Sequence, residues 1–250
     1  MSGDFPRCGT AILAAFCLIS VAACSEPVRQ PAQTSLGSSD WVTTPLILGA
    51  ERTAQGLTLR GVAAPAGRVV VRGAAGVAYA TSADDQGRFT LRIGSPAVDT
   101  LFVVETQYGQ DAAPAPYRLL VTGDVGGPIA LLTPGGPSHR LDMTGPLDAI
   151  DSDGRTMLAS GRSRPGAVVP ITIGGGAPIA VQTGPDGRWI EQMEGGASTI
   201  SVGGRSYVRP DLSAPLAGTP LTVTAAAGGR RVSWSAPGGS AQQTWFPDAG

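Results

Sequence analysis

The sequence predicts an all-β fold: two antiparallel β-sandwich domains in tandem, behind a signal peptide and a flexible tether. Three observations carry this. Short runs of Val, Ile, Leu, Thr and aromatic residues alternate with turn-forming clusters, in a chain of 250 residues with 36 Gly and 21 Pro. Beyond the leader, no stretch has the apolar periodicity of a helix of about ten residues or more. The chain after Trp41 also repeats itself at a spacing of about 100 residues.

Arg7 precedes an apolar run from Ala11 to Ala23, interrupted only by Cys17 and Ser20. A bilayer span takes about 20 residues, so the run has the length of a signal-peptide hydrophobic region instead. It ends Val21-Ala22-Ala23-Cys24. That ending resembles the lipobox of bacterial lipoproteins, an aliphatic and two small residues before a cysteine. The resemblance implies that 1–23 is a signal peptide. It also implies that the Cys24 sulfur carries diacylglycerol, with palmitate-type acylation. Ser25, where an inner-membrane lipoprotein often has aspartate, points to the outer membrane. An ordinary secretory signal and a short uncleaved anchor are the alternatives. Residues 24–40 read as the lipidated N-terminus and a tether, with only Val28 and Leu36 as large apolar residues. Cys8, Cys17 and Cys24 are the only cysteines. A chain cut after Ala23 therefore forms no internal disulfide.

In the repeat, Gly61 meets Gly161, Pro65 meets Pro165, Val69 meets Val169 and Val71 meets Ile171. Gly87-Arg88-Phe89 then meets Gly187-Arg188-Trp189. With a slip of two residues, Leu119–Thr122 meets Leu221–Thr224. The expected domains are 41–144 and 145–250, each with its own core and joined by a junction with less contact than a core. In the first copy, strands are expected at Leu57–Arg60, Val69–Arg72, Val77–Ser82, Arg88–Ile93, Leu101–Thr106, Tyr117–Thr122 and Ile129–Thr133. In the second, Pro170 cannot donate to a ladder, which predicts an edge strand or a bulge.

Two stretches carry a further resemblance. One is Gly61 to Val71 followed by Asp85-Gln86-Gly87-Arg88-Phe89. The other is Gly161 to Val168 followed by Asp186-Gly187-Arg188-Trp189. Both resemble bacterial Ig-like and carboxypeptidase-regulatory-like domains. The resemblance covers most of both copies and implies tandem Ig-like sandwiches. It specifies no activity.

The chemistry available is narrow. Eighteen basic residues face 19 acidic ones, which argues against a nucleic-acid grip. All 18 are arginine, so no Schiff-base or phosphate-loop lysine exists. His139 is the only histidine, in a Gly/Pro-rich segment that reads as a solvated loop; no Gly-x-Ser-x-Gly elbow accompanies it. Asp148, Asp151 and Asp153 before Gly154 suggest either an irregular calcium site or a solvated turn, and fail the EF-hand spacing at both ends. Glu105, Glu191 and Glu194 are the weak candidates for paired carboxylates, with Glu191 expected to face solvent. Arg60, Arg68, Arg72, Arg88 and Arg92 are either an anion-binding face or the outward charges of strands. Trp189 and Trp234 stand opposite Phe89 and Leu131, which favours core packing, and Trp245-Phe246 is expected to pin the last strand.

These readings converge on a non-catalytic, lipid-anchored binding or scaffold module of the bacterial cell envelope, with no cofactor, metal or catalytic residue. Its expected partners are the membrane, through the lipid, and an envelope protein or glycan. The alternative is an envelope enzyme, or enzyme accessory, acting on polysaccharide or peptidoglycan. Solvent-facing tryptophans beside two carboxylates would favour that alternative.

Overall fold

Strand after strand follows the period-two alternation that puts successive side chains on opposite faces. Arg88–Ile93 is the clearest case, with Phe89, Leu91 and Ile93 buried and Arg88, Thr90 and Arg92 exposed. The computed structural model describes residues 43–248, apart from 143–144, 194–195, 213–217, 219 and 237. Val21, Ala22, Ala23, Cys24, the tether, Trp41 and Glu194 lie outside the described residues.

Nineteen strands, numbered in chain order, form four antiparallel sheets among the described residues, with a single 3-10 turn at Ala74–Gly76 and no α-helix. The first sheet orders β1 (Leu46–Thr53), β2 (Gly56–Val62) and β5 (Arg88–Ile93). The second orders β4 (Ala78–Ser82), β3 (Arg68–Arg72), β6 (Thr100–Tyr108), β7 (Asp111–Val121), β8 (Ile129–Leu132) and β9 (His139–Arg140). The third orders β14 (Arg188–Met193), β11 (Met157–Arg162), β10 (Leu147–Ser152), β19 (Ala241–Pro247), β18 (Gly229–Ser235) and β17 (Thr222–Ala225). The fourth orders β13 (Ile179–Gln182), β12 (Val168–Ile173), β15 (Thr199–Val202) and β16 (Arg205–Val208). All seven strands expected in the first copy are present, as β2 to β8.

The sheets stack in four layers around three apolar cores. Ile47, Leu59 and Phe89 of the first sheet meet Val69, Val104 and Leu119 of the second. Ile150, Trp189 and Trp245 of the third meet Ile171, Ile200 and Val202 of the fourth. Between them, Leu120, Ala130 and Leu132 on the outer face of the second sheet meet Ala149, Val232, Trp234 and Phe246 of the third. The second sheet is thus buried on both faces at the end of β7 and along β8, and Leu119-Leu120-Val121 is a continuous apolar run for that reason. The expected thin junction is a core layer, and residues 39–250 cluster as one unit. Trp245 and Phe246 point into different cores and anchor the last strand from both faces.

The repeat recurs in the pairings at the same spacing. Gly61 pairs with Phe89 and Gly161 with Trp189; both first strands carry a register shift, at Ile47/Gly49 and Leu147/Ala149. A Cβ on Gly61 would lie 2.6 Å from the Phe89 ring, and one on Gly161 2.5 Å from the Trp189 ring. Each glycine therefore makes the space its aromatic occupies. Gly87 and Gly187 turn their hairpins at φ of 76° and 75°, a region that costs a glycine little. Their carbonyls accept from Ala63 and Ser163, each at 2.8 Å.

Past residue 200 the slipped alignment fails. Leu119 lies in the β6–β7 hairpin, and β7 pairs with β6 and β8. Thr222–Ala225 instead pairs only with β18, in the third sheet. By pairing, β16 is the counterpart of β7. Tyrosines mark the equivalence: Tyr117 Oη accepts from Ile47 N at 3.0 Å, and the Tyr207 hydroxyl faces the Leu147 N–H. Leu131 and Trp234, matched by the slip, fill different cores. Pro170 is likewise not at an edge, since β12 lies between β13 and β15. Its carbonyl accepts from Gly203 N at 3.1 Å, at the β15–β16 turn, and the β15 ladder begins only at Ile171. The missing donor faces the end of that ladder, where no strand partner is lost.

Candidate functional site

The second copy differs from the first in a polar cluster that grows from the β10–β11 pair. Where β1 and β2 carry Leu48 and Val62, the corresponding places in β10 and β11 carry Asp148 and Arg162. Asp148 is fully buried. Arg162 Nε donates to its Oδ1 at 3.0 Å and Nη2 to its Oδ2 at 2.9 Å, a two-point fork. Arg162 Nη2 also donates to the Arg140 carbonyl. Arg140 in turn is 4% exposed; it donates to both carboxylate oxygens of Asp142 and, through Nη1, to Pro247 O at 2.7 Å. Strands β9, β10, β11 and β19 are therefore tied by one ionic network.

His139 enters this network from β9, where it pairs with Leu131. It is not a solvated loop residue. The Gly/Pro composition belongs to the turn before it, and β9 is too short to show a periodicity. The imidazole is 16% exposed, and Nδ1 lies 3.8 Å from Asp148 Oδ2, beyond direct hydrogen-bond length. Burial alone would raise the Asp148 carboxyl; His139 and Arg162 outweigh it and hold it below the ordinary value.

Above the network opens a cavity of about 490 Å3. Leu46 and Leu48 form an apolar wall, 44% and 58% exposed, and Tyr117 and Leu131 add to it. His139, Arg162, Asp186 and Arg188 form the polar wall. Arg188 Nε lies 3.6 Å from Asp186 Oδ2. Desolvation lowers the Arg188 pKa, and the Arg162 charge lowers it further against Asp148 and Asp186. The charges are paired among themselves, so the cleft offers hydrogen-bond edges beside exposed leucines and suits a partner with both characters.

The acidic run does not converge. Asp148 binds arginine. Asp151, 3% exposed, accepts from Ser138 N and Ser138 Oγ at 2.6 Å each, from Thr244 Oγ1 at 2.6 Å and from Gln242 Nε2 at 3.2 Å. Burial pushes its carboxyl up against the pull of these donors. Asp153 is exposed and caps the turn by accepting from the N–H groups of Arg155 and Thr156. Among the described residues no three His, Cys, Asp or Glu side chains are grouped to hold a metal. Neither the calcium site nor the single solvated turn describes Asp148 and Asp151, because two of the three carboxylates are structural and buried.

The other candidates disperse. Glu105 pairs with Arg72 at 2.9 Å on the second sheet. Glu191 shares the inner face of β14 with Trp189 and Met193 and is half-buried, not solvent-facing. Arg60, Arg88 and Arg92 belong to the first sheet and Arg68 and Arg72 to the second, so they lie on opposite outer faces and form no single patch. Trp189, Trp234 and Trp245 are all buried. No described helix is long and apolar enough to cross a membrane. No protein-family model matches the chain, and a search of the curated proteins finds no match.

Proposed function

We propose that the protein is a lipid-anchored, non-catalytic binding module of the bacterial cell envelope, built of two interlocked Ig-like sandwiches. The observation that carries this over the glycan-enzyme reading is the burial of Trp189, Trp234 and Trp245: each packs in a core and none of them is offered to a sugar ring. The separated environments of Glu105 and Glu191 support the same reading. Val21-Ala22-Ala23-Cys24 supplies the anchor, residues 24–40 the reach, and the cleft between Leu48 and Arg188 the recognition surface. A protein or glycan partner would bring an apolar group to the leucines and hydrogen-bonding groups to the arginines.

The test has two parts. Mass spectrometry of the mature N-terminus should find an acylated Cys24, and Cys24→Ser should release the protein from membranes. Gentle crosslinking in intact envelopes should give an adduct that Leu48→Asp and Arg188→Glu both abolish while the fold is retained. An unlipidated mature chain, or an adduct indifferent to both cleft substitutions, sinks the proposal.

A further inference from the structure

A second cavity, of about 360 Å3, shares no lining residue with the cleft. Ser152, Arg155, Thr156, Ser198, Arg209 and Asp211 line it. Arg209 is the unusual member. It follows β16 directly, and its backbone N–H donates to Ser198 O at 3.0 Å, which fixes the residue against the segment entering β15. The residue is only 9% exposed. Nη1 donates to Pro210 O at 3.0 Å, and Nε has no acceptor. No carboxylate among the described residues pairs with it. Asp211, exposed on the cavity wall, acts on it only through space.

Arg140, the other buried arginine among the described residues, shows how such a group is otherwise paired. Arg140 has a carboxylate on one edge and a backbone carbonyl on the other. A buried guanidinium without a counter-ion is costly, and its Nε–Nη2 edge is the fork that a planar carboxylate or a phosphate takes in two parallel hydrogen bonds. In Arg209 the Nε of that edge is buried and has no acceptor. Arg155 stands exposed at the same cavity, so its lining carries two positive groups against one negative. Thr156 and Ser198 bring hydroxyls, and the volume exceeds what a lone oxyanion fills.

We propose that this cavity is an oxyanion-binding site, in which Arg209 takes a carboxylate or phosphate group of a ligand and Arg155 holds it from the mouth. The site is separate from the cleft, and its partner chemistry is anionic where that of the cleft is mixed.

The test is the thermal midpoint of the purified protein, titrated with inorganic phosphate in one arm and sodium acetate in the other, at an ionic strength held constant with sodium chloride. A ligand that binds only the folded state raises the midpoint saturably. One arm or both should show this rise, and the stronger arm names the ligand class. Arg209→Met should weaken the apparent affinity about tenfold or more, the loss expected for charge-assisted hydrogen bonds. A purely structural arginine would instead lower the midpoint equally with and without the anion. Arg155→Gln changes an exposed side chain; it should keep the fold and reduce the anion response several-fold. If Arg209→Met does not fold, Arg155→Gln and the wild-type titrations decide alone. No saturable rise with either anion, or a rise unchanged by the substitutions, overturns the proposal.

Discussion

The two halves of the chain use the same first seven strands and then close in different ways. In the first half, β8 and β9 add to β7 and extend the sheet that β3 and β6 began. In the second, β17 to β19 leave the fourth sheet and join β10 in the third, at the position that stays an open edge on β1. The closing strand β8 of the first half lines its own sandwich through Ile129 and Leu131 and the middle layer through Ala130 and Leu132. The closing strands of the second half cover the outer face of the first, through Val232, Trp234 and Phe246. The closing strands are what join the two similar halves into one body. The charged pair Asp148 and Arg162 sits where the two closures meet.

The largest expected effect tests that joint. Trp234→Ala removes a fully buried side chain from the middle layer and should cost about 3–5 kcal/mol. Hydrogen exchange should then show lost protection at Leu119–Val121 as well as at Val232–Ser235. Loss confined to β17–β19 would make the closing hairpin an appendage, and the first half self-sufficient.

The charged pair sharpens the comparison next. Asp148→Asn leaves the Arg162 fork half-matched and should cost about 2 kcal/mol, within the range for hydrogen bonds to charged groups. Installing the residues of the first half, Asp148→Leu with Arg162→Val, should recover much of that, because well-packed apolar side chains often replace a buried pair without loss. Chemical denaturation of the single and double variants measures both. A pH series adds a sign. The Asp148 carboxyl is held low, so its contribution is present above its ordinary pKa of about 4 and is lost as pH falls through the lower folded value. Asp148→Asn should therefore flatten the acid limb, and an unchanged limb would remove Asp148 from the account.

The smallest effect separates the two tyrosines. Tyr117 Oη donates to Pro45 O at 2.9 Å while accepting from Ile47, and burial raises its pKa to about 12. Tyr117→Phe should cost about 1–3 kcal/mol, since it strands two buried backbone groups. Tyr207→Phe should cost less, because the Tyr207 hydroxyl faces only the Leu147 N–H, outside hydrogen-bond geometry. The contribution of Tyr117 is present below about pH 10 and lost as pH rises toward 12. Equal costs for the two phenylalanine variants would contradict the difference in geometry.

Much of the first sandwich was legible because its strands alternate and its turns carry glycine. Arg88–Ile93 needed no tertiary information. Strand β1 escaped because its exposed Leu46 and Leu48 flank the buried Ile47, so the run shows no contrast between its faces. The closing hairpin was misaligned because Leu119-Leu120-Val121-Thr122 and Leu221-Thr222-Val223-Thr224 are both generic β sequence, and pairing partners are set by tertiary contacts. The polar cluster draws on four separate segments and left one trace: across the repeat, Leu48 becomes aspartate and Val62 becomes arginine. Opposite charges appearing together on paired strands are a signal of contact that a search for matches passes over. The Arg209 cavity left no trace, since burial of a lone arginine is a tertiary property.

The middle layer also sets an order of events. As the chain emerges from the ribosome, Leu120, Ala130 and Leu132 are complete long before Val232, Trp234 and Phe246 exist to cover them. The first half must wait with a sticky outer sheet, a long-range contact of the kind that folds slowly and exposes a chain to aggregation. A molecule cut short before β18 would carry that bare sheet permanently. Strands β18 and β19 therefore act as a seal: only a chain synthesised through them can hide that surface.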